Sequence, residues 1–148
     1  MKKLLAASAA LLVSGAAFAQ TATPVGLWKS VDDKTKVEKS LVRITDNGGV
    51  LSGRIEKILD PAAKPDAVCD ECPGDQKGKP FVGLTIITGA KKNPDNPNQW
   101  DGGSVLDPVA GKTYKLRLRP SDDNKKLDVR GYIGTPMIGR TQTWTRVE

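Results

Sequence analysis

Clusters of turn-forming residues recur at short intervals along this chain from residue 20 onward, and that spacing limits what it can fold into. Asp32-Asp33-Lys34, Asp46-Asn47-Gly48-Gly49, Asp107-Pro108-Val109-Ala110-Gly111 and Gly134-Thr135-Pro136 separate runs rich in Val, Ile, Leu, Thr and aromatic residues. The runs are about five to ten residues long, the length of strands, and none is a helical run of useful length. The clearest is Lys112 to Arg119, where Tyr114, Leu116 and Leu118 alternate with Lys115, Arg117 and Arg119. A period of two with one apolar face marks a half-buried β-strand.

In chain order the expected strands are Gly26 to Ser30, Glu38 to Thr45, Val50 to Leu59, Leu84 to Thr88, Gln99 to Leu106, Lys112 to Arg119 and the two arms of a closing hairpin between Lys125 and Val147. A Pro- and Asp-rich loop from Asp60 to Pro80 and the stretch Asn93 to Asn98 interrupt them. About eight sequential antiparallel strands favour an all-β, single-domain up-and-down barrel, because closing the sheet removes its unpaired edges. A sandwich is the alternative. Gly53, Gly102, Gly103, Gly131 and Gly139 fall inside the runs, where a small barrel bends. The closing hairpin is expected to return to Gly26-Leu27-Trp28, with Trp144 as the mate of Trp28. An outer-membrane barrel is disfavoured, since Lys115, Arg117 and Arg119 would face lipid.

The chain opens with Met1-Lys2-Lys3, an apolar stretch from Leu4 to Val13, and Ala17-Phe18-Ala19 before Gln20, the layout of a secretory signal peptide. Residues 1–19 are therefore expected to be a signal and residues 20–148 one β-barrel domain, periplasmic or secreted. Without the signal the balance is 21 basic against 17 acidic residues, a mild and scattered excess. Nucleic-acid binding wants a basic stripe with interleaved aromatics, which this chain lacks. Histidine is absent, so Ser-His-Asp and Cys-His catalysis and His-based zinc sites are excluded.

The only cysteines, Cys69 and Cys72, frame Asp70 and Glu71 and are followed at once by Pro73-Gly74. A thioredoxin-like pair opens a helix whose N-terminus lowers a thiol pKa, and the two acidic residues work against a thiolate. The pair reads as a structural disulfide in a surface loop, with redox chemistry as the alternative. No catalytic residue, cofactor or metal is expected. An enzymatic reading would require the fold to bring Asp101, Asp107 or Asp128 together.

Several pieces, in this order and spacing, carry a resemblance: Gly26-Leu27-Trp28, Cys69-Asp70-Glu71-Cys72, Gly78 to Leu84, Gly102-Gly103, Asp107-Pro108 with Gly111 to Tyr114, Leu127 to Tyr132, and Gly139 to Arg146. Together they resemble the secreted bacterial family known as domain of unknown function 2147, which implies a single-domain secreted protein and no established activity. Gly26-x-Trp28 is also similar to the first strand of the calycin group, the lipocalins and fatty-acid-binding proteins, whose barrels hold small apolar ligands. That likeness implies a basic residue of the last strand, Arg140 or Arg146, covering Trp28.

Alternation along the last strand puts Ile138, Arg140, Gln142 and Trp144 on one face, with Thr141, Thr143 and Thr145 outside. If Trp144 points inward, Arg140 needs an acid such as Asp107 or Asp128, a ligand carboxylate, or the Trp28 ring. The expected ligand-binding set is Trp28, Trp100, Tyr132, Arg140, Gln142 and Trp144, holding a small amphipathic or apolar molecule. The alternative is an envelope interaction or structural protein with a filled core. Neither nucleic acid nor a transmembrane segment in residues 20–148 is expected, and the oligomeric state is left open.

Overall fold

A computed structural model describes Gly15 and residues 21–148; apart from Gly15, the expected signal peptide lies outside the described residues. Eight strands follow in order: β1 (Gly26–Val31), β2 (Glu38–Asn47), β3 (Val50–Ile58), β4 (Thr85–Lys92), β5 (Trp100–Asp107), β6 (Lys112–Pro120), β7 (Lys126–Tyr132) and β8 (Gly139–Arg146). Each pairs antiparallel with its sequence neighbour, and β1 pairs with β8, so the sheet is a closed barrel. The barrel, rather than the sandwich, is the fold. One helical turn, Gly74–Gln76, interrupts the loop after β3.

Alternation sorts the residues as the pattern required. Leu116 and Leu118 are fully buried in β6 while Lys115 and Arg119 are exposed, and Val42 and Ile44 do the same in β2. Burying a large apolar side chain of this kind stabilises by about 1.5–3 kcal/mol. The fourth strand runs to Lys92, beyond the expected Thr88. Gly89 takes φ +74° there, and a Cβ on the facing Gly103 of β5 would stand 2.3 Å from the Thr88 carbonyl oxygen and 2.5 Å from Ala90 N, so a glycine is what lets the two strands pack at this point. Pairing slips at Gly53 and across Gly102, between Asp101 and Gly103, so three of the five strand glycines lie at or beside register shifts.

The up-and-down path gives the barrel two unlike ends. The start of β1, the end of β8 and the connectors 48–49, 93–99 and 121–125 lie at one, called here the closed end. Connectors 32–37, 59–84, 108–111 and 133–138 lie at the other, the open end.

Candidate functional site

At the closed end the segment leading into β1 and the end of β8 lock together. The Arg146 guanidinium lies 4.1 Å from the centre of the Trp28 ring, and the two residues are register partners across β1 and β8. Trp144 is thus not the direct partner of Trp28 but an inward neighbour two residues along. Arg146 also donates to the carbonyls of Thr23, Val25 and Asn124 and to the Asn124 side chain. Trp28 Nε1 donates to the Pro24 carbonyl at 2.7 Å. A Cβ on Gly26, whose φ is +139°, would stand 2.3 Å from the Arg146 guanidinium, so the Gly-x-Trp motif is the seat of this arginine. Burial pushes the Arg146 pKa down, with its cation satisfied by the four acceptors and the ring.

The open end is covered by the long loop. Cys69 and Cys72 form a disulfide, and both are buried members of the core cluster with Leu84. The bridge lies, as expected, in a loop most of whose residues are exposed, while the two cysteines themselves reach into the core. The loop is tied to itself by Cys69 N to Lys79 O and Gly78 N to Cys69 O, both 2.8 Å, and to β3 by Gly83 N to Ile55 O at 2.8 Å. It also presses on the β5–β6 turn: a Cβ on Gly111, at φ +68°, would overlap the Glu71 carbonyl. Phe81 packs half-buried against the core.

Arg140 sits at the start of β8, at the rim of this end. It is neither buried in the barrel nor set on Trp28; it donates two hydrogen bonds to Asp33 in the β1–β2 connector. Both side chains remain in part solvent-exposed. The hydrogen bonds from Arg140 hold the Asp33 carboxyl below its usual range and raise the arginine. Of the exposed large apolar residues, Val68, Val82, Val109, Ile133, Met137 and Ile138 lie in open-end connectors, and Val147 lies at the closed end.

The six expected ligand residues do not come together in one cavity. Trp28, Trp100 and Trp144 are buried core residues; Lys92 covers Trp100 with its ammonium 5.3 Å from the ring centre. Gln142 is half-buried, and its amide oxygen accepts from Trp144 Nε1 at 2.9 Å. Tyr132 lies on the outer face, opposite Lys115 and Gly139. Ile138 falls in the connector, outside β8. Asp107 accepts from the backbone of Val109 and Ala110, Asp101 from Asn93 and Gln99, and Asp128 from Thr143, so the three carboxylates are engaged separately. Among the described residues no three acidic or cysteine side chains converge as metal ligands. Asp33 was missed in sequence as the partner of Arg140, since a turn aspartate carries no mark of its long-range contact.

An eight-stranded meander barrel closed between first and last strands, with an arginine of the last strand on the tryptophan of the first, is a lipocalin-like barrel. Residues 26–146 match the family described as an uncharacterized protein conserved in bacteria, domain of unknown function 2147. The chain belongs to that family. Among solved structures it is similar to protein HP1028 from Helicobacter pylori, described as belonging to the lipocalin family. The TM-score is 0.72 at 18% identity, covering 86% of this chain and 85% of that one. No curated protein matches the chain.

Proposed function

We propose that this is a secreted, periplasmic binding module that takes a small anionic amphiphile at the open end of its barrel. The observation that carries the reading is that six of the exposed large apolar side chains fall in the connectors of the end at which Arg140 stands, paired there with Asp33. Met137, Ile138, Val109 and Val82 offer an apolar surface to a tail, and the guanidinium offers a carboxylate its two-pronged donor fork. Asp33 occupies that fork in the free protein, so a ligand carboxylate exchanges for it. The three tryptophans fill the deep interior, which argues for a shallow seat under the long loop rather than a deep cavity. The N-terminal segment supports export. Titration with fatty acids and other carboxylated amphiphiles, followed by amide NMR, tests the reading together with mass spectrometry of what co-purifies. Saturable binding weakened by Arg140→Gln is expected; an empty protein that responds to none of them contradicts it.

The second reading is an envelope interaction protein that uses the same rim against a macromolecule. The buried tryptophans and disulfide favour it, because a barrel of this strand number can be filled by its own side chains. Capture of an envelope protein that is lost in Met137→Lys, with no response to amphiphiles, selects this alternative.

A further inference from the structure

We propose that the outer wall of β6, β7 and β8 carries a seat for a phosphomonoester group, separate from the open-end rim. Arg117, Arg119, Asp128, Arg130 and Thr141 line a cleft of about 290 Å³ on this wall. Register sets Arg117 directly beside Arg130 and Arg119 beside Asp128, with Thr141 next to Arg130 on β8. Like charges directly opposite across an antiparallel pair are destabilising. Three arginines and one aspartate thus share the lining, and the aspartate accepts the Thr143 hydroxyl at 2.8 Å. Among the described residues none of these arginines is in an ion pair.

Two of the three are braced. Arg119 gives Nε and Nη2 to the Gln99 amide oxygen, and Arg130 gives Nε to the Pro136 carbonyl and Nη1 to the Thr141 hydroxyl. Arg117 is different: its Nε is buried and has no hydrogen-bond partner. Its neighbour on the other side, Asp101, is engaged by the amides of Asn93 and Gln99. A buried charged donor without an acceptor is costly. An incoming oxyanion relieves the repulsion between Arg117 and Arg130, and a turn of the Arg117 side chain towards it gives Nε the acceptor it lacks.

The chemistry of the lining selects the anion. Guanidinium forks match the paired oxygens of carboxylates and phosphates. Arg117, Arg119, Arg130 and Lys126 of the adjoining cleft against Asp128 and Asp101 leave a local excess of two positive charges, which a phosphomonoester dianion neutralises above its second pKa of about 6. The cleft adjoins a second of about 400 Å³, which shares Arg119 and Asp128 and adds Asn98, Ser121, Lys126 and Thr143. That space accommodates the group that carries the phosphate.

The test titrates the folded chain with inorganic phosphate, with glycerol phosphate, and with phosphatidylcholine vesicles with and without phosphatidic acid. Binding is read by calorimetry and amide NMR. Shifts are expected in residues 117–119, 128–130 and 141–143, with tighter binding at pH 7.5 than at pH 5. Arg117→Gln should weaken binding about tenfold or more, as expected for losing a charge-assisted fork. It should also raise the phosphate-free melting temperature, which separates lost binding from lost folding. Arg54→Gln, an equal charge change on β3 across the barrel, should leave binding unchanged. Binding of soluble phosphates assigns a free ligand and binding of phosphatidic acid vesicles alone assigns a lipid-borne one; either supports the seat. No phosphate-dependent response from any source, or equal weakening by the two variants, overturns it.

Discussion

The two ends of the barrel are built from the same pieces to opposite purposes. Each has an arginine of β8 and a neighbouring residue from the start of the chain. At the closed end Arg146 is stacked on Trp28 and bonded to three carbonyls, so its charge is spent on holding the segment before β1 to the end of β8. At the open end Arg140 meets one part-exposed aspartate, and the connectors of that end carry most of the exposed large apolar side chains. A cation with every donor engaged is structural, whereas one whose only partner is an exposed carboxylate is free to exchange. On the proposed function, the contrast assigns stability to one end and recognition to the other.

The comparison can be broken by mutation, and the largest effect belongs to the closed end. Trp28→Ala should cost about 3–5 kcal/mol of unfolding free energy by chemical denaturation, the usual range for emptying a buried tryptophan site. Arg146→Ala should cost about 3 kcal/mol, since it strands several carbonyls and uncovers the ring. Replacing both Cys69 and Cys72 by alanine should cost about 2 kcal/mol from the small ring alone. The thermal midpoint of that variant should fall while the closed-end amides keep their protection against hydrogen exchange. Arg140→Gln should change stability by less than about 1 kcal/mol, because its ion pair is solvent-exposed. An Arg140 variant as damaging as the Arg146 variant would erase the distinction.

The smallest effect is a pH dependence. Asp33 is held below the ordinary aspartate value of about 3.9 by the hydrogen bonds from Arg140. The contribution of the pair is therefore complete above about pH 4 and is lost as pH falls through the lowered folded value. NMR titration of the Asp33 carboxyl should give a pKa below the ordinary value in the parent and one nearer to it in Arg140→Gln.

Strand identity was legible because face and parity are local. Tyr114, Leu116 and Leu118 announced their inward face, and the turn clusters marked most of the connectors. Depth was not legible. Arg140, Gln142, Trp144 and Arg146 share one parity, yet a strand advances about 3.4 Å per residue, so the two arginines stand roughly 20 Å apart at opposite ends of the barrel. Parity alone left both as partners for Trp28; the β1–β8 register decides for Arg146. Tyr132 follows the same logic in reverse, since its parity within β7 opposes that of Val129 and places it outside. The burial of Cys69 and Cys72 depends on the long loop folding over the open end against Gly111, a contact between segments about forty residues apart. No local pattern encodes it. The arginine cleft was half visible, since Arg117 and Arg119 read as outward, but its third member, Arg130, joins through cross-strand register.

The most direct test of the division between the ends is amide chemical-shift mapping of the labelled protein during titration with a medium-chain fatty acid. Shifts gathered on residues 81–84, 108–111 and 133–140, with the amides around Trp28 and Arg146 unmoved, are the expected result. Shifts centred on the closed end, or saturable binding that leaves the open-end connectors untouched, would contradict it.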